Sequence, residues 1–273
     1  MSPTVLCSTG VVTREPDHSD HKQILEHGGK LGTTALELLL HEAWYGHLDE
    51  VVEDLKGSSF SFPVVHSDKG IGAGLGSDDA DEVEDALQRL EVNCRAAAAL
   101  GAKTLVLHLW ELPTGDDEIE RNLEQLPACL DTADAYNVAL AVETIAGSSG
   151  TTLANLQLAL ERDARCGATL DTESLGLHGQ VAESISAEWL WAKKRVRHVH
   201  IKDFDGRLRK AGERRYLLPG EGSLDLKGFL GGLVERGYSG AITVEGSAVT
   251  QSGELDDARL EQIATVVSEL AGS

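Results

Sequence analysis

The chain has no stretch approaching the about 18 to 20 consecutive apolar residues that a membrane-crossing helix requires. Its first residues also show no charged lead followed by a long apolar run. The expectation is a soluble, cytoplasmic protein with no membrane partner. Paired cysteines are missing too. Cys7, Cys94, Cys129 and Cys166 are scattered without C-x-x-C spacing, which argues against a zinc ribbon or a redox dithiol and for reduced thiols packed as small hydrophobes. Basic charge is scarce: 24 Lys and Arg face 45 Asp and Glu, for a net charge of -21. A surface of that sign repels phosphate backbones and anionic lipid, so nucleic acid is not an expected partner. The acidity itself requires nothing beyond solubility or a salty cytoplasm. A dinucleotide fingerprint is the last absence. Residues 70–77 are glycine-rich, but counting G-x-G-x-x-G from Gly70 puts Leu75 at the final position and counting from Gly72 puts Ser77 there. Gly10-Val11-Val12 at the first turn is no better. The 70–77 run is therefore expected to be a mobile loop.

What is present is a regular beat. Short apolar runs at 5–9, 33–40, 60–65, 104–109, 138–143, 168–171, 196–201 and 241–245 read as strands, although Pro63 is an objection to the third. Segments with helical apolar spacing lie between and after them, at 19–27, 48–56, 78–100, 117–136, 153–162, 184–194, 224–235 and 255–270. The clearest is 78–100, where acids crowd the first turn, Val83, Leu87, Leu90, Cys94 and Ala97 recur at helical spacing, and Gly101 closes it. Alternation of this kind forces a parallel sheet with right-handed crossovers. Eight units over about 250 residues point to a closed (β/α)8 TIM barrel, one domain spanning 1–273, with a doubly wound sheet as the alternative.

In such a barrel the reactive residues gather at the C-terminal ends of the strands. Here seven consecutive strand ends carry an ionisable residue: Glu37, His66, His108, Glu143, Asp171, His200 and Glu245. Each alone has a bland explanation as a solvated loop residue or a hydrogen-bonded histidine. Together they exceed what a packed core requires. Glu143, Asp171, His200 and Glu245 supply three carboxylates and one imidazole, a ligand set for one divalent metal ion. Beyond His200, Lys202 and Asp203 form either a strand-end ion pair or, with Lys202 turned inward, a support for a substrate oxygen. The only dense basic run, with Arg207, Arg209, Lys210, Arg214 and Arg215, grips a substrate phosphate or carboxylate or else lies solvated or at a subunit contact. Trp44, Tyr45 and Trp110 follow strands, where they could wall a sugar ring or pack beneath a loop.

The chain resembles the sugar phosphate isomerase/epimerase superfamily with xylose isomerase-like barrels. The resemblance rests on Ala141-Val142-Glu143-Thr144, Leu170-Asp171-Thr172 and His198-Val199-His200-Ile201-Lys202-Asp203. Leu218-Pro219-Gly220-Glu221-Gly222 and Gly237-Tyr238-Ser239-Gly240 running on to Glu245 complete it. It implies one ion, Mn, Mg or Co with Zn as a further option, held by Glu143, Asp171, His200 and Glu245. It also implies a small carbohydrate substrate, with Glu143 and Glu245 as the catalytic pair moving a proton through an enediolate. Glu37, His66, His108, Lys202 and Arg207 are the expected substrate contacts. One departure stands out: the family often writes Asp-x-x-His at the sixth strand, whereas this chain has Ser174 there and its next histidine at His178. Other functions stay open: a lyase dehydrating a keto-sugar or keto-inositol on the same metal, an endonuclease at abasic sites, a non-catalytic sugar-binding barrel. A homo-oligomer is also left open.

Overall fold

The computed structural model describes residues 3–13, 20–111, 115–117, 119–147, 149–207, 215–250 and 252–272. Among them the chain runs β1 (Thr4–Ser8), α1 (Gly10–Thr13), α2 (Lys22–His27), β2 (Ala35–Leu39), α3 (Leu48–Lys56), β3 (Ser61–His66), α4 (Ile71–Leu75), α5 (Ala80–Ala99), β4 (Thr104–Leu107), α6 (Ile119–Ala135) and β5 (Ala139–Glu143). It continues through α7 (Thr152–Arg162), β6 (Gly167–Asp171), α8 (Thr172–Leu177), α9 (Val181–Ser186), α10 (Glu188–Trp191), β7 (Val196–Ile201), α11 (Leu226–Glu235), β8 (Ala241–Val244) and α12 (Asp257–Gly272). The strands pair in sequence order, all parallel, and β8 returns to β1. This is the (β/α)8 barrel, and the doubly wound alternative is excluded by its closure.

Closure explains the strands' composition. With no free edge and helices outside, a strand buries both faces. Outward residues such as Leu38, Val65, Leu107, Val142, Val199 and Val244 join the helices in the large core. Inside, Leu6, Val64 and Val106, with Ala35 and Ala241 beside them, make a small separate apolar cluster. Above it the lumen turns polar.

Two strands depart from regular register. Between β2 and β3 the pairing moves from Ala35–Ser61 to Glu37–Val64, so β3 carries an extra residue where Pro63 sits. A bulge is where a strand tolerates proline's missing N–H. On β7 the pairing moves from Ala168–Val196 to Thr169–His198, leaving Arg197 as the extra, exposed residue.

Helix α5 behaves as its sequence dictates: Asp79 caps it by accepting from the Asp81 N–H, and Ala86, Leu90, Cys94 and Ala97 are buried. Two expectations need correction, and one helix lies where none was expected. The 70–77 run is not simply a loop but contains α4. A Cβ on Gly72 would lie 2.3 Å from the His108 carbonyl oxygen, so this glycine is there to let α4 approach the end of β4. A helix, α8, follows Asp171 directly. The predicted helix 184–194 is broken into pieces, ending at Lys193 and Lys194, both at positive φ.

Candidate active site at the C-terminal ends of the strands

His66, Glu143 and Asp171 are the last residues of β3, β5 and β6; His108, Lys202 and Glu245 lie one residue past β4, β7 and β8, and Glu37 lies within β2. All seven, with His198 and His200 on β7, are buried. The period of two along β7 separates its residues: Val199 and Ile201 pack in the outer core, while His198 and His200 both reach across the lumen to Glu37.

Glu143 is the hub. Its Oε1 lies 2.8 Å from His200 Nδ1, and its Oε2 lies 3.2 Å from His66 Nε2 and 2.9 Å from His108 Nε2. His108 Nδ1 pairs in turn with Glu111. Glu143, Asp171 and His200 each bring one donor atom within 4.8 Å of the others, close enough to share a cation. Glu245, the fourth expected ligand, is held differently: Lys202 Nζ lies 2.5 Å from its carboxylate, 2.7 Å from Asp171 Oδ2 and 3.5 Å from Glu173. An ammonium thus stands where carboxylates from β6 and β8 converge, and it marks the place as one that accepts a cation. Two further three-donor groups, Glu37 with His198 and His200, and His66 with His108 and Glu143, share members with the first.

The electrostatics are those of a site with too little positive charge. Glu37, Glu143, Asp171 and Glu245 are all buried, and among the described residues the one buried ammonium is Lys202; burial of an uncompensated carboxylate is costly. Imidazoles make up part of the deficit. Burial alone would raise Glu143, but His200 and His108 outweigh it and hold its carboxyl well below the usual range. Glu37 is likewise held low by His200 and His198 against the effect of burial. Burial would lower His200, yet Glu37, Glu143 and Glu245 push it well above the ordinary imidazole value, and Glu143 and Glu111 raise His108 similarly. His66 and His198 are depressed by burial. Asp171 moves up through burial, only partly countered by Lys202. Oxygen and imidazole donors with surplus negative charge fit a divalent cation.

The other expected residues divide. Glu37 is fully buried, its Oε2 within 2.5 Å of His198 Nε2, 3.0 Å of His200 Nε2 and 2.9 Å of Thr243 Oγ1. Arg207 is exposed, its backbone N–H donating to Asp205, and the rest of the basic run, apart from exposed Arg215, falls outside the described residues. Ser174 uses its backbone, donating from N–H to Asp171 Oδ1 at 2.8 Å as part of the cap of α8. His178 accepts from the Gly147 N–H at 3.1 Å, and it belongs to none of the three-donor groups. Trp44 and Trp110 are buried, and Tyr45 donates to Asp68. Sequence reasoning gave no role to His198, Thr243 or Glu111. Period two along β7 and β8 pairs His198 with His200 and Thr243 with Glu245, and that signal could have found the first two.

A sequence profile described as the xylose isomerase-like TIM barrel matches residues 27–265. No curated protein is similar enough in sequence to count as a relative. Solved structures share the fold. An L-ribulose 3-epimerase superposes with TM-score 0.74 at 15% identity, over 100% of this chain and 96% of its own. A 3-keto-D-glucoside 4-epimerase from E. coli gives 0.70 at 16%, over 100% of both chains. The IOLI protein, solved with a bound zinc atom, gives 0.69 at 17%, over 98% of both.

Proposed function

This chain belongs to the xylose isomerase-like TIM barrel family, and from that premise we propose that it is a divalent-metal-dependent isomerase or epimerase of a small sugar or sugar phosphate. The observation that carries the reading is the convergence of Glu143, Asp171 and His200 donors within 4.8 Å, beside Glu245 and a lysine already seated among carboxylates. Glu143, Asp171, His200 and Glu245 would hold the ion, which when bound polarises a substrate carbonyl and acidifies the neighbouring C–H. The names of the similar structures, sugar epimerases among them, agree with a carbohydrate substrate.

The chain's own groups supply the proton chemistry. Glu143 is held ionised by its histidines, so it is available as a base at neutral pH. Glu245 approaches from β8, three strands away, and, entering the reaction in its protonated form, would deliver its own proton to the opposite face of the same carbon for epimerisation, leaving Glu143 protonated until solvent exchange resets the pair. In isomerisation Glu143 itself would pass the proton it has taken to the adjacent carbon. Lys202, its side chain 4% exposed, donates N–H to the substrate oxygen on which charge develops, an interaction strengthened by the dry surroundings. His66 and His108, lined against Glu143, orient it and contact substrate hydroxyls. Arg207 at the exposed edge meets any phosphate the sugar carries.

The test is to incubate Mn2+-loaded protein with a panel of ketoses in D2O and follow C–H exchange by NMR. Exchange at a carbon beside the carbonyl is expected for at least one sugar, and a product lighter by water would assign the lyase reaction instead. Absence of exchange across the panel counts against the proposal.

A further inference from the structure

Glu37 is a carboxylate placed where an apolar side chain would fit the barrel more cheaply. It is fully buried, and while its Oε2 meets His198, His200 and Thr243, its Oε1 has no hydrogen-bond partner among the described residues. A half-satisfied buried carboxylate is a cost to folding. Its geometry toward His200 indicates what it is for. The two ring nitrogens of His200 face opposite ways: Nδ1 lies 2.8 Å from Glu143 Oε1, toward the shared donor cluster, and Nε2 lies 3.0 Å from Glu37 Oε2. A neutral imidazole offers one lone pair and carries one proton, and the hydrogen bond made by one nitrogen decides which is which.

We propose that Glu37 is a positioning residue: by accepting the Nε2–H of His200 it fixes Nδ1 as the atom presented to the divalent cation and locks the ring in plane. This rests on the reading of Glu143, Asp171 and His200 as ligands. His198 and Thr243 hold Glu37 in turn. Thr243 Oγ1 donates to Oε2 at 2.9 Å and lies 3.0 Å from His198 Nε2, so groups from two strands, β7 and β8, brace one oxygen of a residue on β2. Glu37 itself touches neither substrate nor cation in this arrangement. Its removal would alter the affinity for the metal before any chemistry begins.

Two measurements test the assignment. In the full chain loaded with Zn2+, long-range 15N–1H NMR of the histidine side chains is expected to show His200 protonated at Nε2 and coordinated through Nδ1, a pattern that a merely structural Glu37 has no reason to impose. In titrations with Mn2+ followed by EPR, Glu37→Gln is expected to weaken binding about 10- to 100-fold, the range for carboxylate partners of metal-bound histidine. Thr243→Val should weaken it less, in the same direction. Coordination through His200 Nε2 would overturn the proposal, as would a folded Glu37→Gln protein with unchanged affinity while Asp171→Asn loses the ion. If the unaltered protein binds neither Mn2+ nor Zn2+, the metal reading falls and this inference with it. Should Glu37→Gln not fold, the spectrum of the unaltered protein and Thr243→Val decide the matter.

Discussion

Replacing Lys202 by methionine isolates the countercharge in the centre of the site. Methionine keeps most of the lysine stem's apolar volume and removes the ammonium. That ammonium lies 2.7 Å from Asp171 and 2.5 Å from Glu245, with the lysine side chain 4% exposed. Breaking a buried pair from one side costs about 3 to 5 kcal/mol because the remaining charges stay buried. At roughly 2 to 4 °C per kcal/mol for a domain of this size class, the metal-free protein should melt about 6 to 20 °C lower. The loss depends on conditions in a way that packing would not. Asp171 is already raised by burial, and without Lys202 it rises further, so acidification should relieve part of the penalty. Mn2+ should remove part of it as well by replacing the missing charge, so the rise in melting temperature on adding Mn2+ should be larger in Lys202→Met than in the unaltered protein. Circular dichroism melts at pH 8 and pH 5, in chelator and in Mn2+, measure all of this. An equal loss under all four conditions, or no loss in chelator, would refute the countercharge role.

Glu143→Gln is expected to abolish turnover while retaining part of the Mn2+ affinity, since an amide oxygen still coordinates; unchanged kcat would remove Glu143 from proton transfer. In chelator, stability should fall as pH rises above about 6.5, because the raised His200 and His108 hold imidazolium pairs that are complete below the unfolded value and lost through the higher folded ones. The depressed His66 and His198 act only below that point. Mn2+ affinity should climb over the same interval as His200 releases its proton, and a pH-independent affinity from 6.5 to 9 would contradict this. Gly72→Ala should lower stability by about 1 to 3 kcal/mol or more, as in other overpacked sites, because the new methyl group would meet the His108 carbonyl oxygen at 2.3 Å. A thermal melt identical to that of the unaltered protein would show that α4 moves aside freely. Cys94, Cys129 and Cys166 are buried, with thiols that burial pushes up to about 12; they should react with a thiol reagent only on unfolding, and rapid labelling of the native protein would overturn that packing.

The barrel was legible because each strand is a short apolar run whose end is marked by a polar residue and whose successor is a helix. Glu143, Asp171, His200 and Glu245 could be grouped for the same reason: in a parallel barrel, strand ends converge whatever their separation in sequence. What escaped was set by contacts across the lumen or around the outside. Asp171 serves as strand end and helix cap together, so its carboxylate reads as a ligand and conceals α8. Glu37 was counted among the strand ends, but it lies inside β2, and its partners on β7 and β8, more than 160 positions away, were not foreseen. Lys202 could be placed inward by alternation, but its seat between Asp171 and Glu245 depends on the separation of β6 and β8, which no local pattern encodes. The helix at 71–75 was obscured by its glycines, which weaken helical propensity yet allow the close contact with His108.

Anomalous diffraction from crystals soaked in Mn2+ addresses the whole account with one map. The expected result is a peak in contact with Glu143, Asp171, His200 and Glu245. An empty map, or a peak confined to His66, His108 and Glu143 or to Glu37, His198 and His200, would contradict it.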